Sequence, residues 1–139
     1  MKIFFDTNVY IAEALVGRGA IRVIEATQRG KWRIYSSSYQ VTELVRVLVE
    51  DLEVPLRSVK LIRQRILKRS TIVKSESSAE VPEDPKDSPI LQAALTCGAD
   101  YLVTNDQHLL RLDPFEGLHI ISMNAYHDQL EDEGLIRLR

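Results

Sequence analysis

The chain has 139 residues, 45% of them hydrophobic, which is the size of one ordinary domain able to bury about two thirds of its unfolded surface. Its formal net charge of −2 argues against attachment to nucleic acid by bulk positive charge, because such proteins usually carry a marked basic excess. No apolar run approaches the roughly 20 residues that cross a bilayer, the start does not resemble a secretory leader, and the single Cys97 cannot form an internal disulfide. These features predict one cytoplasmic domain over residues 1–139.

The first eight residues predict a strand that turns directly into a helix. Ile3, Phe4 and Phe5 form an uninterrupted apolar run, typical of a strand covered on both faces, and an apolar pattern of helical length follows over 9–16. In open parallel sheets, ligands bind beyond the carboxyl ends of the strands, which is where Asp6 lies. The alternative is that Asp6 or Asn8 only caps the helix.

Helical and strand patterns then alternate to the end of the chain. Further helices are predicted at 20–26, at 39–52, from Pro55 onward, at 88–97 and at 123–130, and further strands at 32–35, 71–73, 101–106 and 119–121. Residues 75–86 are rich in Ser, Glu and Pro and read as a connecting loop. The alternation predicts an α/β fold with a parallel sheet of about five strands between helical layers.

Three acids are expected to meet at one edge of this sheet. Asp6 and Asp106 end strands, and Asp87 stands at the start of a helix that leads into a strand, so all three lie at the carboxyl edge. Carboxylates brought together in this way repel one another, and their pKa values rise unless a cation relieves the repulsion. Mg²⁺ and Mn²⁺ prefer oxygen ligands, so the acids predict a site for one of these ions.

Each acid also has a purely structural explanation. Asp87 could be a helix N-cap, Asp106 could cap the turn that follows it, and Glu43 could form a solvated ion pair with Arg46 three residues away. The histidines show no spacing that suggests zinc, and the glycines match neither a dinucleotide nor a P-loop fingerprint. The acids are therefore the only set of residues that carries chemistry.

The helix that follows Pro55 concentrates positive charge. No acid interrupts its basic residues, which are Arg57, Lys60, Arg63, Arg65, Lys68 and Arg69. They could hold RNA phosphates, or they could form an ordinary solvated helix face.

Four segments, taken in order, resemble the PIN domain along the whole chain. They are Phe5-Asp-Thr-Asn8, Thr42-Glu43-Leu44, Asp84-Pro-Lys-Asp87 with the helix after it, and Gly98-Ala-Asp-Tyr-Leu-Val-Thr-Asn-Asp106. The likeness is greatest to prokaryotic PIN proteins of the VapC type, which are toxins of toxin–antitoxin pairs.

This resemblance implies an α/β/α sandwich and an Mg²⁺- or Mn²⁺-dependent endoribonuclease. It places Glu43 with the three aspartates as a catalytic residue, with Asp6, Asp87 and Asp106 as the metal ligands. It also assigns auxiliary or substrate contacts to Thr7, Asn8, Asp84, Thr104 and Asn105. The partners that it implies are an RNA substrate, a cognate antitoxin and a second copy of the chain in a homodimer.

The hypothesis for the reaction is an in-line attack of water on phosphorus that leaves a 5′-phosphate and a 3′-hydroxyl, with Glu43 binding the metal or orienting the water. Phosphatases of the haloacid dehalogenase type also open with a strand that ends in Asp, but they need a second Asp two residues later, where this chain has Asn8. The alternative from another class is a non-catalytic PIN-like module that binds RNA or a protein.

Overall fold

The structure is a computed structural model that describes residues 1–74 and 88–136. Within these two ranges, five strands alternate with seven α-helices. The strands are β1 Lys2–Phe5, β2 Arg33–Ser37, β3 Ser70–Val73, β4 Tyr101–Val103 and β5 His119–Ile121. The helices are α1 Thr7–Ala14, α2 Arg18–Arg29, α3 Ser38–Arg46, α4 Leu56–Arg69, α5 Ser88–Thr96, α6 Gln107–Leu110 and α7 Met123–Asp132.

The five strands form one parallel sheet in the order β3-β2-β1-β4-β5. The strand β1 lies at its centre, with Phe4 opposite Tyr35 of β2 and Leu102 of β4. The predicted parallel α/β sheet is thereby confirmed. In the described part of the chain, no helix has the length and apolarity that a bilayer crossing requires.

The sheet is buried on both faces, as the apolar run of β1 predicts. Ile3 and Phe5 point into a core that they share with α1, α2, α3, α4 and α7, whereas Phe4 points into a second core with α5 and α6. All three side chains are fully buried. Two helical layers around one sheet make the fold a three-layer α/β/α sandwich.

Several predicted elements have different bounds in the structure. The helix predicted at 20–26 is Arg18–Arg29, the strand predicted at 32–35 is Arg33–Ser37, and three further elements differ for local reasons. The helix predicted at 39–52 is α-helical only to Arg46 and continues as a π-helical turn, Val47–Asp51. The helix predicted at 9–16 is α1, which starts earlier and ends at Ala14, because Val16 has a positive φ of 63°. The strand predicted at 101–106 ends at Val103, since the residues after it turn into the cap of α6. The predicted loop at 75–86 lies outside the described residues.

A buried ion pair joins the helical layer on the larger core. Arg69, at the end of α4, donates from Nη1 and Nη2 to the two carboxylate oxygens of Glu13 in α1, at 2.6 and 2.7 Å. Both side chains are less than a tenth exposed. Arg69 therefore serves the packing of α4 against α1, whereas the other five basic residues of α4 are exposed to solvent.

We expect the substitution Arg69→Ala to lower the free energy of unfolding by roughly 3–5 kcal/mol, because it leaves Glu13 buried without its counter-ion. The double substitution Glu13→Met with Arg69→Met should recover most of this loss, since neither buried charge remains. Urea denaturation of the three proteins measures both effects. A loss below about 1 kcal/mol for Arg69→Ala would mean that water reaches Glu13.

Candidate active site

Asp6 is held at the carboxyl end of the central strand. Its backbone N–H donates to the carbonyl of Val103 in β4 at 2.9 Å, and its side chain is 4% exposed. Asp6 stands at the N-cap position of α1, yet its carboxylate makes no cap hydrogen bond and instead accepts one from Thr104 Oγ1 at 2.7 Å. Helix capping alone therefore does not account for this carboxylate.

The surroundings of Asp6 disfavour its charge. Burial is the largest cause that raises the pKa of this carboxyl above its ordinary value of 3.8, and repulsion by the Asp106 carboxylate raises it further. The Thr104 hydroxyl and the nearby amides of Thr7 and Asn8 act in the opposite direction, but they do not cancel the effect of burial. A cation beside Asp6 would remove this cost.

Asp6 opens into a cavity of about 190 Å³ at the carboxyl edge of the sheet. Residues from four helical segments line it together with Asp6: Thr7, Asn8, Ile11, Tyr39, Glu43, Val47 and Ile90. The structure thus brings Asp6 and Glu43, which are far apart in the sequence, to one cavity with Thr7 and Asn8. Ile90 belongs to the first turns of α5, so this helix begins beside the same cavity.

Glu43 faces this cavity while paired with a cation. Arg46 Nη2 donates to Glu43 Oε1 at 2.6 Å, and the same guanidinium lies 3.4 Å from the carboxylate of Glu50. The predicted ion pair of Glu43 and Arg46 is confirmed. This ion pair is compatible with a role of Glu43 in the cavity, because it restricts the orientation of a carboxylate that also lines the site.

Asp106 lies near Asp6 at the end of the neighbouring strand, close enough for its charge to act on Asp6. It is the N-cap of α6, where Oδ1 accepts from the His108 amide at 2.8 Å, so the predicted capping role is confirmed. Its own amide donates to Thr104 Oγ1 at 3.0 Å, and that hydroxyl donates to Asp6. The Thr104 hydroxyl therefore connects the two strand ends. Asn105 points elsewhere, since its Oδ1 accepts from the Met123 amide at the start of α7.

Asp84 and Asp87 lie outside the described residues. Among the described residues, four of the predicted set line the cavity: Asp6, Thr7, Asn8 and Glu43. Thr104 and Asp106 do not line it, but Thr104 is hydrogen-bonded to Asp6 and Asp106 interacts with Asp6 through its charge.

Gln40 is a residue of the site region that the sequence reading missed. Its side chain is 1% exposed, and Nε2 donates to the carbonyl of Phe5 at 2.6 Å. Its Oε1 is buried without a partner among the described residues. The sequence could have indicated this role. Gln40 lies four and eight residues before Leu44 and Leu48, on the buried face of the helix, where an amide side chain is unusual.

A second group of oxygen and nitrogen ligands lies on α7. The side chains of His127, Asp128 and Glu131 have ligand atoms within 4.8 Å of one another. His127 Nδ1 is 3.0 Å from Glu131 Oε1, one helical turn away. An ordinary pair on the helix surface explains this contact, and none of the three residues lines the cavity at Asp6.

A larger cavity of about 810 Å³ lies between α1, α2 and α4. The buried pair of Glu13 and Arg69 forms part of its wall together with Arg65 and Lys68 of the basic helix α4, and none of the predicted catalytic, metal-binding or auxiliary residues borders it. The acids at the carboxyl edge therefore remain the candidate for chemistry.

The raised pKa of Asp6 predicts how stability depends on pH. A carboxyl that binds its proton more tightly when folded favours the folded state below pH 3.8, and this contribution is lost as the pH rises through the folded pKa. In chelator at neutral pH, we expect Asp6→Asn to raise the free energy of unfolding by roughly 1–3 kcal/mol, the usual cost of an incompletely bonded buried group. Below pH 3.8 this gain in the free energy of unfolding should vanish, because Asp6 is then protonated in both states. Urea denaturation of both proteins between neutral pH and pH 3.8 or lower tests the prediction, and a variant less stable than wild type at neutral pH would contradict it.

Comparison with known families identifies the chain's family. A family model described as PIN domain matches residues 2–108. Neither the curated proteins nor the solved structures gave a match.

Proposed function

Because the chain belongs to the PIN domain family, whose members are generally nucleases, we propose that it is a metal-dependent endoribonuclease that hydrolyses RNA phosphodiester bonds. The observation that carries this proposal is the buried Asp6 carboxylate. It lines one cavity with Glu43, and the charge of Asp106 raises its pKa.

The donor set at this cavity suits a hard divalent cation. Its ligand atoms are oxygens, and the burial of Asp6 next to a second carboxylate is relieved by positive charge. In our proposal Asp6, Asp87 and Asp106 hold Mg²⁺ or Mn²⁺. Such an ion, when bound, lowers the pKa of water and neutralises charge that develops on the phosphodiester. For Asp87 the support is its place in the chain, immediately before α5, whose Ile90 borders the cavity.

The other residues then have positioning and binding roles. The hydrogen bond from Thr104 orients the Asp6 carboxylate, and the pairing with Arg46 orients Glu43, which in this proposal binds the metal or orients the attacking water. Thr7 and Asn8 line the cavity where substrate oxygens would lie. Asp84 remains a proposed auxiliary contact, whereas Asn105 is not proposed as one, because its Oδ1 accepts from the Met123 amide. Attack in line with the leaving 3′-oxygen would produce a 5′-phosphate and a 3′-hydroxyl.

The proposal predicts coupled loss of hydrolysis and of metal-induced stabilisation in Asp6→Asn. Wild-type protein should cleave single-stranded RNA with Mn²⁺ or Mg²⁺ and not with chelator, and Mn²⁺ at about 100 times its dissociation constant should add roughly 2.7 kcal/mol of stability. In Asp6→Asn, hydrolysis should fall at least about 100-fold because a proposed metal ligand is lost. Cleavage assays and thermal unfolding with and without Mn²⁺ measure these effects.

The matched control is Asp128→Asn, which removes an exposed acid from α7 and should change neither result. If this variant instead loses the Mn²⁺ stabilisation, the ion binds on α7 and the assignment to Asp6 is wrong. Wild-type protein that binds RNA without cleaving it under any metal would support a non-catalytic RNA-binding module.

We also propose that the exposed basic residues of α4 contact RNA phosphates. Replacing Arg63 and Arg65 with Gln should reduce the slope of log affinity against log salt concentration by about 1–2, because up to two phosphate contacts are lost. The control replaces Arg18 and Lys31, which are exposed on other parts of the surface, with Gln. Equal slopes for both double variants would mean that the basic face of α4 is merely solvated.

The biological role that we propose is that of a cytoplasmic VapC-like toxin, which acts as a homodimer and is held inactive by an antitoxin. The family membership supports the nuclease chemistry, and the toxin role is the finer hypothesis. Induced expression that arrests growth for wild-type protein but not for Asp6→Asn would support it, and light scattering would test the dimer.

A further inference from the structure

Tyr39 differs from the other tyrosines in its exposure. All five tyrosines lie in the described residues, and only Tyr39 is exposed, at 45%. It is the second residue of α3, whose first turn is held by the Ser37 hydroxyl, which accepts from the Gln40 amide at 3.0 Å. A bulky aromatic ring is thus presented to solvent from a fixed helical turn.

The ring stands on the same side of α3 as Glu43. Residues 39 and 43 are four apart, so their side chains lie one above the other on a helix, whereas Gln40 points inward to the Phe5 carbonyl. Tyr39 and Glu43 accordingly line the same cavity as Asp6. The aromatic surface is therefore adjacent to the proposed catalytic acids.

The lining of the cavity combines polar and apolar side chains. Asp6, Thr7, Asn8 and Glu43 are polar, whereas Ile11, Tyr39, Val47 and Ile90 offer apolar surface. A nucleotide combines the same two properties, because its phosphate is charged while its base offers an apolar π-face. With the phosphate at the acids, the neighbouring base would lie within reach of the Tyr39 ring, one helical turn from Glu43.

We infer that Tyr39 and the apolar side chains that line the same cavity form a nucleobase subsite, where a base next to the cleaved phosphodiester of single-stranded RNA stacks on the Tyr39 ring. This inference rests on the proposed function for the position of the phosphate. Stacking on an aromatic ring tolerates any base, since each base has a π-face. It requires an unpaired base, because bases within an A-form duplex are already stacked and paired.

The test measures the coupling between Tyr39 and one base. Short single-stranded RNAs, labelled with fluorescein and carrying one abasic nucleotide at each position in turn, are titrated in chelator by fluorescence anisotropy. The protein background is Asp6→Asn, which removes the proposed hydrolysis and one charge that repels phosphate. With Tyr39 present, an abasic nucleotide at one position should weaken binding by about 5- to 150-fold.

In Tyr39→Ala, the intact RNA should lose affinity by a similar factor, and the abasic nucleotide at that position should cause no further loss. Tyr39→Phe keeps the stacking surface and should behave as wild type, whereas Tyr39→Leu should resemble the alanine variant. Leu15→Ala, which removes a 55% exposed side chain outside both the cavity and α4, is the control and should leave binding unchanged.

Three results would overturn the subsite. The first is an unchanged RNA affinity in Tyr39→Ala. The second is that Tyr39→Ala lowers the affinity for every abasic RNA by the same factor as for intact RNA, and the third is that the protein does not bind RNA at all. The proposed hydrolysis is judged separately on wild-type protein with Mn²⁺. Position-specific coupling in a protein that never cleaves RNA would leave the subsite standing and refute the nuclease, whereas cleavage without coupling would refute the subsite alone.

Discussion

The site depends on one peptide group at the end of the central strand, the bond between Phe5 and Asp6. Its N–H donates to Val103 in β4, and its C=O accepts from the side chain of Gln40 in α3. The two ends of a trans peptide point in opposite directions, so this group is held from both sides. The pairing of β1 with β2 ends one residue earlier, at Phe4 and Tyr35, and the Gln40 amide supplies a donor to the Phe5 carbonyl beyond that point.

This arrangement fixes Asp6 relative to Glu43. Gln40 and Glu43 belong to the same helix, three residues apart, so the bond that secures the Phe5 carbonyl also holds α3 against the strand that carries Asp6. Burying the Gln40 amide lowers the stability of the fold, since its Oε1 has no hydrogen-bond partner among the described residues. Substituting an apolar residue would remove this cost, but it would leave the Phe5 carbonyl without its Gln40 donor.

The fold was predictable from sequence because periodicity and chain order determine it. The apolar run of β1 predicted a strand buried on both faces, and alternating patterns predicted the parallel sheet. Errors fell where a local feature interrupts a pattern: the positive φ of Val16 and the π-helical turn after Arg46. The convergence of Asp6 and Asp106 followed from the rule about strand ends, which uses topology alone. The Gln40 contact did not follow, because it depends on the three-dimensional course of α3.

The acids that meet at this edge are stabilised in two different ways. Glu43 is balanced within the protein, since the Arg46 guanidinium donates to its carboxylate at 2.6 Å. Asp6 accepts a hydroxyl hydrogen bond, and its surroundings favour the protonated form. A positive charge that arrives from outside therefore gains more at Asp6 than at Glu43, because only Asp6 still bears an unrelieved cost of burial. This asymmetry supports the proposed assignment of Asp6 as a metal ligand, whereas Glu43 is a carboxylate that Arg46 already orients.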